Sequence, residues 1–202
     1  MLATRTSALS FLIRRKTLSR TTTKTPVVVT TMSSSENSND KVVVGIDRLS
    51  DGPMHTQDPF LFCVYHKDQY PAGNGKMEAP RRGNGADFNP NAPYRMYHGE
   101  KVPGFPQHPH RGFETITATL DGIIDHTDSM GNAGRYGEGD LQWMTAGKGV
   151  VHGEMFPLIH EDKENPTRFF QIWLNLPSKS KMTEPAFVMH WGSETKKVKD
   201  EG

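Results

Sequence analysis

Apolar residues in this 202-residue chain come in short runs, and where they alternate with polar ones the period is two. Val42-Val43-Val44-Gly45-Ile46 predicts a strand ended by Asp47. Phe60-Leu61-Phe62-Cys63-Val64-Tyr65 is apolar at both parities and predicts a strand covered on both faces. His108 to Leu120 is the longest strand-like stretch; Ile123 to Asp128, Leu141 to Met144 and Gly147 to Met155 follow. Between Arg168 and Leu176, Phe170, Ile172, Leu174 and Leu176 share one face, Phe169, Gln171, Trp173 and Asn175 the other, and Pro177 ends the run. No helical periodicity persists beyond a turn or two. Short strands divided by Gly and Pro turns predict an all-β domain, closed or two-sheeted, of the jelly-roll barrel kind.

The joints between strands carry more specific expectations. His66 to Gln107 is long and irregular, and a stretch of that length predicts a lid or flap over a site. Its two Gly-Asn-Gly triplets lack the preceding strand and following helix of a phosphate loop. Asp121-Gly122 predicts a two-residue hairpin turn. Such a turn would set Leu120 opposite Ile123, Ala118 opposite Asp125 and Ile116 opposite Thr127. The face made by His108, His110, Gly112, Glu114, Ile116, Ala118 and Leu120 would then look inward. His126 would point away from any site, unless a bulge near Gly112 breaks the alternation.

Candidate chemistry follows from strand parity. Residues two apart in an extended strand share a face, so His108 and His110 converge, as do His152 and Glu154. Three imidazoles and a carboxylate make a mixed nitrogen and oxygen donor set suited to iron, manganese, zinc, copper or nickel. Gly147, Gly149 and Gly153 allow close approach of backbone to such a site.

Composition narrows the setting. A net charge of +1 gives no electrostatic case for direct contact with nucleic acid or an anionic membrane surface. With Cys63 as the one cysteine there is no intrachain disulfide, and its apolar neighbours predict a buried strand residue. Residues 1–35 hold no Asp or Glu but carry Arg5, Arg14, Arg15, Lys16, Arg20 and Lys24 among many Ser and Thr. That composition predicts an unstructured organellar transit segment, mitochondrial or plastid, over residues 1–40. Without such an address the expected location is cytoplasm and nucleus. The barrel is expected over residues 41–190 and a solvated charged tail over 191–202.

Beyond pairs of histidines, long motifs carry a family resemblance. His108-Pro109-His110-Arg111-Gly112-Phe113-Glu114-Thr115, Gly139-Asp140-Leu141-Gln142-Trp143-Met144-Thr145-Ala146-Gly147, the His152 and Glu154 pair, and Trp173-Leu174-Asn175-Leu176-Pro177 together resemble the pirin family of the cupin superfamily. The resemblance implies an iron-binding cupin barrel whose ligands fall on His108, His110, His152 and Glu154. In many other cupins the carboxylate comes from the first motif, here Glu114; strand parity allows either, and the pirin match selects Glu154. Pirins have two barrels and this chain ends about where the second should begin. That leaves a single-barrel protein, an alternative product or an incomplete gene model. A lone barrel would leave apolar surface uncovered, which predicts a homodimer.

Two functions are implied. Some pirins are quercetin 2,3-dioxygenases, with a flavonol as substrate; Glu154 would then be both ligand and catalytic base, and Gln142, Trp143 and Met144 would line the cavity. Others are redox-dependent transcriptional co-regulators, in which one added unit of charge on the iron alters affinity for a protein partner without catalysis.

Overall fold

The computed structural model describes residues 27–31, 43–49, 52–79 and 101–196. Among these, all regular elements are strands except one short 3-10 turn, Ser178–Ser180. The chain divides into two compact units, residues 50–196 and a smaller one made of residues 1–49 with 197–202. In the smaller unit β1 (Val27–Thr31) and β2 (Val43–Arg48) pair antiparallel, Val27 opposite Arg48. β1 falls inside the stretch whose composition predicts an unstructured leader, and the rest of residues 1–40 lies outside the described residues.

Among the described residues the larger unit holds nine strands: β3 (Phe60–Tyr70), β4 (Gly104–His110), β5 (Phe113–Asp121), β6 (Ile123–Asp128), β7 (Ala133–Gly137), β8 (Leu141–Thr145), β9 (Val150–Met155), β10 (Asn165–Asn175) and β11 (Ala186–His190). They form two antiparallel sheets, a five-stranded one in the order β11-β8-β5-β10-β3 and a four-stranded one in the order β4-β9-β6-β7. This all-β, two-sheet architecture is that of a cupin-type jelly-roll barrel. β3 runs five residues past the predicted end at Tyr65, so His66, Asp68 and Tyr70 lie on its buried face. Of the predicted lid, residues 80–100 lie outside the described residues.

The predicted hairpin at Asp121-Gly122 is not one. β5 pairs with β8 and β10, while β6 pairs with β7 and β9, so the chain changes sheets at this corner. Gly122 has a positive φ of 81°, and an added Cβ would come within 2.8 Å of the Pro166 carbonyl oxygen. Arg168 Nε donates to Asp121 Oδ2 and ties the corner to β10. A second sheet change lies between β4 and β5, at Gly112 with φ 80°. There Lys181 Nζ donates to the Gly112 carbonyl at 3.0 Å.

Parity therefore does not carry from β4 through β5 to β6. The expected inward face of β5, with Glu114, Ile116, Ala118 and Leu120, is replaced by Thr115, Thr117 and Thr119. Across the sheet they align with Gln142 and Met144 of β8, with Phe169, Gln171 and Trp173 of β10, and through these with His66 and Val64 of β3. From the facing sheet come His108 and His110, Val150, His152 and Glu154, Ile124 and His126, and Tyr136. The inward positions from β9 onward read Val150, His152, Glu154, Phe156: apolar, imidazole, carboxyl, apolar. Val150 belongs to a cluster with Met144 and Ala146, and Phe156 to one with Tyr70, Ile124, Tyr136, Leu158 and Phe169. The polar layer thus sits between two apolar plugs. Each fully buried aliphatic or aromatic side chain in them stabilises the fold by about 1.5–3 kcal/mol.

Gly104 begins β4 where backbone crowds closest. Its φ is 143°, and an added Cβ would lie 2.3 Å from the Glu154 carbonyl oxygen and 2.6 Å from Met155 Cα. Gly104→Ala is expected to destabilise the chain by about 2–4 kcal/mol, combining backbone strain with overpacking. It should also loosen Glu154. Urea unfolding checks this, and an unchanged midpoint would contradict it.

Candidate metal centre

The site is built where β4 and β9 pair. His108 lies directly opposite His152, and His110 follows two residues on along the same face. Pro106 and Pro109 are tolerated because, among the described residues, β4 is an edge strand. Pro106 and Gln107 together oppose the single residue Gly153, a bulge that brings Phe105 opposite Glu154. The three imidazoles are mutually close, with ring centroids 4.7 Å apart for His108 and His110, 4.5 Å for His108 and His152, and 4.9 Å for His110 and His152. One ring nitrogen from each lies within 4.8 Å of the others.

Hydrogen bonds aim these rings. His108 Nδ1 donates to the Pro106 carbonyl at 2.7 Å, which leaves the lone pair on Nε2, 3.1 Å from His152 Nε2. His110 Nε2 and His152 Nδ1 are buried without a hydrogen-bond partner. Leaving such atoms dry and unpaired costs about 1–3 kcal/mol each, a cost that an ion in the cluster would remove at His110 Nε2. The donor set fits a transition metal on chemistry as well as on geometry.

Glu154 is buried beside the cluster, and among the four expected ligands it is set apart. Its carboxyl groups with His126 and His152 within 4.8 Å, and not with His108 and His110. Thr117 Oγ1 donates to Glu154 Oε1 at 3.3 Å, the Tyr136 hydroxyl reaches the same oxygen at 3.2 Å, and Gln171 Nε2 lies 3.5 Å from Oε2. Glu114, the alternative carboxylate, points out of the barrel. It accepts hydrogen bonds from Trp143 Nε1 at 2.9 Å and from Thr145 Oγ1 at 2.8 Å on the outer face of the five-stranded sheet. Of the three residues expected to line the cavity, Gln142 and Met144 are fully buried and face inward, while Trp143 faces outward with Glu114.

His126 is the residue that strand reasoning misplaced. It is 1% exposed, its ring centroid is 5.4 Å from that of His152, and it pairs in register with Glu154. The inference from a hairpin register failed because β6 is held by β9 and not by β5. The usable signal was alternation within β6 itself, where Ile124 and His126 share a face. Asp128 binds His126 Nε2 at 3.1 Å and is buried with it.

Electrostatics follow from burial. Loss of solvent lowers the His110 imidazole to about 4, helped by His108, and lowers His152 to about 2, helped by His108, His110 and His126. Burial takes His66 to about 3. Burial also lowers His126, against the pull of Asp128. The same burial raises the Glu154 carboxyl to about 7, opposed by its hydrogen bonds from Tyr136 and Thr117. Near neutral pH His110, His126 and His152 are therefore neutral and ready to donate lone pairs.

Without metal, these shifts set a pH dependence of stability. Below the ordinary histidine value of 6.5 the unfolded chain takes up protons at His66, His110 and His152 that the folded chain refuses. That stability is present above 6.5 and is lost as the pH falls. Glu154 acts oppositely, since its raised value makes the fold bind a proton between 4.5 and about 7. Three imidazoles outweigh one carboxyl. Chelator-treated chain is expected to unfold at lower urea at about pH 5 than at about pH 7; an equal or higher midpoint at the lower pH would contradict this.

Comparisons with known proteins agree on a family. The Pirin family model matches residues 47–174. A pirin-like protein of Caulobacter vibrioides is 50% identical over 84 residues, covering 42% of this chain and 29% of that protein. A protein of Pseudomonas aeruginosa named as a candidate quercetin 2,3-dioxygenase is 48% identical over 86 residues, covering 43% of this chain and 29% of its own. A crystal structure of quercetin 2,3-dioxygenase from Acinetobacter baumannii is 32% identical with a TM-score of 0.49, covering 67% of this chain and 38% of that one. The chain thus spans well under half the length of these relatives.

Proposed function

The chain belongs to the pirin family, within the cupin superfamily, and from that premise we propose that it is a metal-dependent oxidoreductase of the quercetin 2,3-dioxygenase type. Its metal, on this reading iron, is held by His108, His110 and His152, with Glu154 supplying the carboxylate. The observation that carries this is the meeting of three imidazoles beside a half-buried aromatic wall. Phe113 and Trp173 lie 5.2 and 5.3 Å from the His110 ring, and Phe105 lies 6.4 Å from that of His108. A relative named as a candidate quercetin 2,3-dioxygenase supports the substrate class.

Iron in such a donor set supplies one-electron chemistry with O₂. The chain's own groups do the rest. Phe105, Phe113 and Trp173 offer ring faces and edges on which a flat phenolic substrate can stack. Glu154, whose carboxyl burial raises in the metal-free chain, is the group placed to take the proton of a flavonol hydroxyl. Thr117 and Tyr136 hold one of its oxygens, so the proton is received on Oε2. The apolar plugs on either side exclude water from this transfer.

Chain reconstituted with Fe(II) under anaerobic conditions is expected to bind one iron and to consume O₂ when quercetin is added. His108→Ala should lose the iron and the consumption together, whereas Glu114→Gln should keep both. No consumption with Fe, Mn, Cu or Ni would overturn the activity. Unchanged iron content in both His108→Ala and Glu154→Ala would overturn the site.

A further inference from the structure

The wall that meets the histidine cluster carries polar atoms with nothing to bind. Phe62 of β3, Trp173 of β10 and Thr115 of β5 stand in one row across the five-stranded sheet, Trp173 opposite both of the others. Phe113 precedes Thr115 at the same parity of β5 and shares the inward face. The Trp173 ring lies 4.8 Å from Phe62, 4.9 Å from Phe113 and 5.3 Å from His110, centroid to centroid. Its Nε1 is buried without a hydrogen-bond partner, and so is Oγ1 of Thr115 beside it. Trp143, on the outer face of the same sheet, shows the ordinary arrangement and donates from Nε1 to Glu114 at 2.9 Å.

Packing alone does not call for an indole in this row. A phenylalanine would fill much of the same space and bring no unanswered donor. Buried indole N–H groups usually find a partner, because an unmade bond costs more than a made one contributes.

We propose that Trp173 is a specificity-determining residue of the metal centre, whose N–H, together with the Thr115 hydroxyl, receives a second oxygen of the substrate. This inference rests on the proposed function and deepens it. An indole nitrogen only donates, so the group that it receives must offer a lone pair. A ketone oxygen or an ionised phenol oxygen does so. Stacking along Phe62, Trp173 and Phe113 asks that the rest of the ligand be flat and aromatic. A planar aromatic hydroxy-ketone meets both demands, with its hydroxyl towards the histidines and its ketone towards Trp173. Flavonols have this form, the two oxygens standing on adjacent ring carbons. A flat phenol with a single oxygen would stack as well but leave the indole dry.

Iron-loaded chain titrated under anaerobic conditions with 3-hydroxyflavone, and separately with 2-naphthol, gives the two affinities from quenching of ligand fluorescence. Trp173→Phe keeps a ring face and removes the donor. It is expected to retain its iron, to weaken 3-hydroxyflavone about tenfold and to leave 2-naphthol within about twofold. Should that variant fail to fold, Thr115→Val removes the second donor at nearly constant shape. It is expected to weaken 3-hydroxyflavone about threefold and again to spare 2-naphthol. Unchanged affinity for 3-hydroxyflavone in the folded variant, or equal losses for both ligands, would overturn the role of Trp173 and leave the proposed function standing. Unaltered chain that takes up iron yet binds no flavonol would count against both.

Discussion

The antiparallel pairing of β4 with β9 is the constraint on which the rest of the site depends. Directly opposed residues in such a ladder project to the same side, so setting His108 against His152 brings both rings to one face. Residues two along each strand then add His110 and Glu154. A slip of one residue would turn one strand's pair outward and dismantle the cluster. The bulge at Pro106 and Gln107 guards against it, since two residues facing Gly153 fit only one alignment. Gly153 has no Cβ, and one placed there would meet the Gln107 amide at 3.6 Å, an ordinary contact.

Much of this is legible in the sequence. Apolar runs and alternation mark β2, β3, β6, β8, β9 and β10, with the ends of β6 placed to the residue, whereas β4 and β5 read as one strand and β7 and β11 are not predicted. The two pairs, His108 with His110 and His152 with Glu154, needed only strand parity, which is local and short in reach. What failed was parity carried across a corner. Asp121-Gly122 has the composition of a hairpin turn, because a positive φ at glycine serves a sheet change as well as a tight turn. Nothing in the dipeptide says which strand will lie next to β5. That is decided by β8 and β10, whose contacts are distant in sequence. His126 was lost through that step alone.

Glu114 and Trp143 illustrate the same point from the other side. Both stand inside the motifs that identify the family, yet they meet each other on the outer face of the barrel. Their hydrogen bond, with that from Thr145, joins β5 to β8 where the sheet curves round the site. A motif of this length mixes residues that touch the cavity with residues that hold its wall. Spacing cannot separate the two kinds, since neighbours in sequence alternate between faces.

Between the two apolar plugs the inner layer is short of positive charge. It holds His110, His126, His152, Glu154, Gln142 and Thr117, and among the described residues no Lys or Arg is buried. The histidines are kept neutral by burial, so they do not compensate Glu154 or Asp128. Hydrogen bonds from Thr117 and Tyr136 meet part of the need at Glu154, and Asn132 with its neighbours meets most of it at Asp128. What remains is a set of lone pairs on dry nitrogens and a carboxyl that ionises only near pH 7. A buried cation answers all of these at once: it takes the lone pairs, offsets the carboxylate and lets Glu154 ionise at lower pH. The fold therefore stores, in its metal-free form, a local cost that binding relieves, and that relief couples the ion to the stability of both sheets through β9.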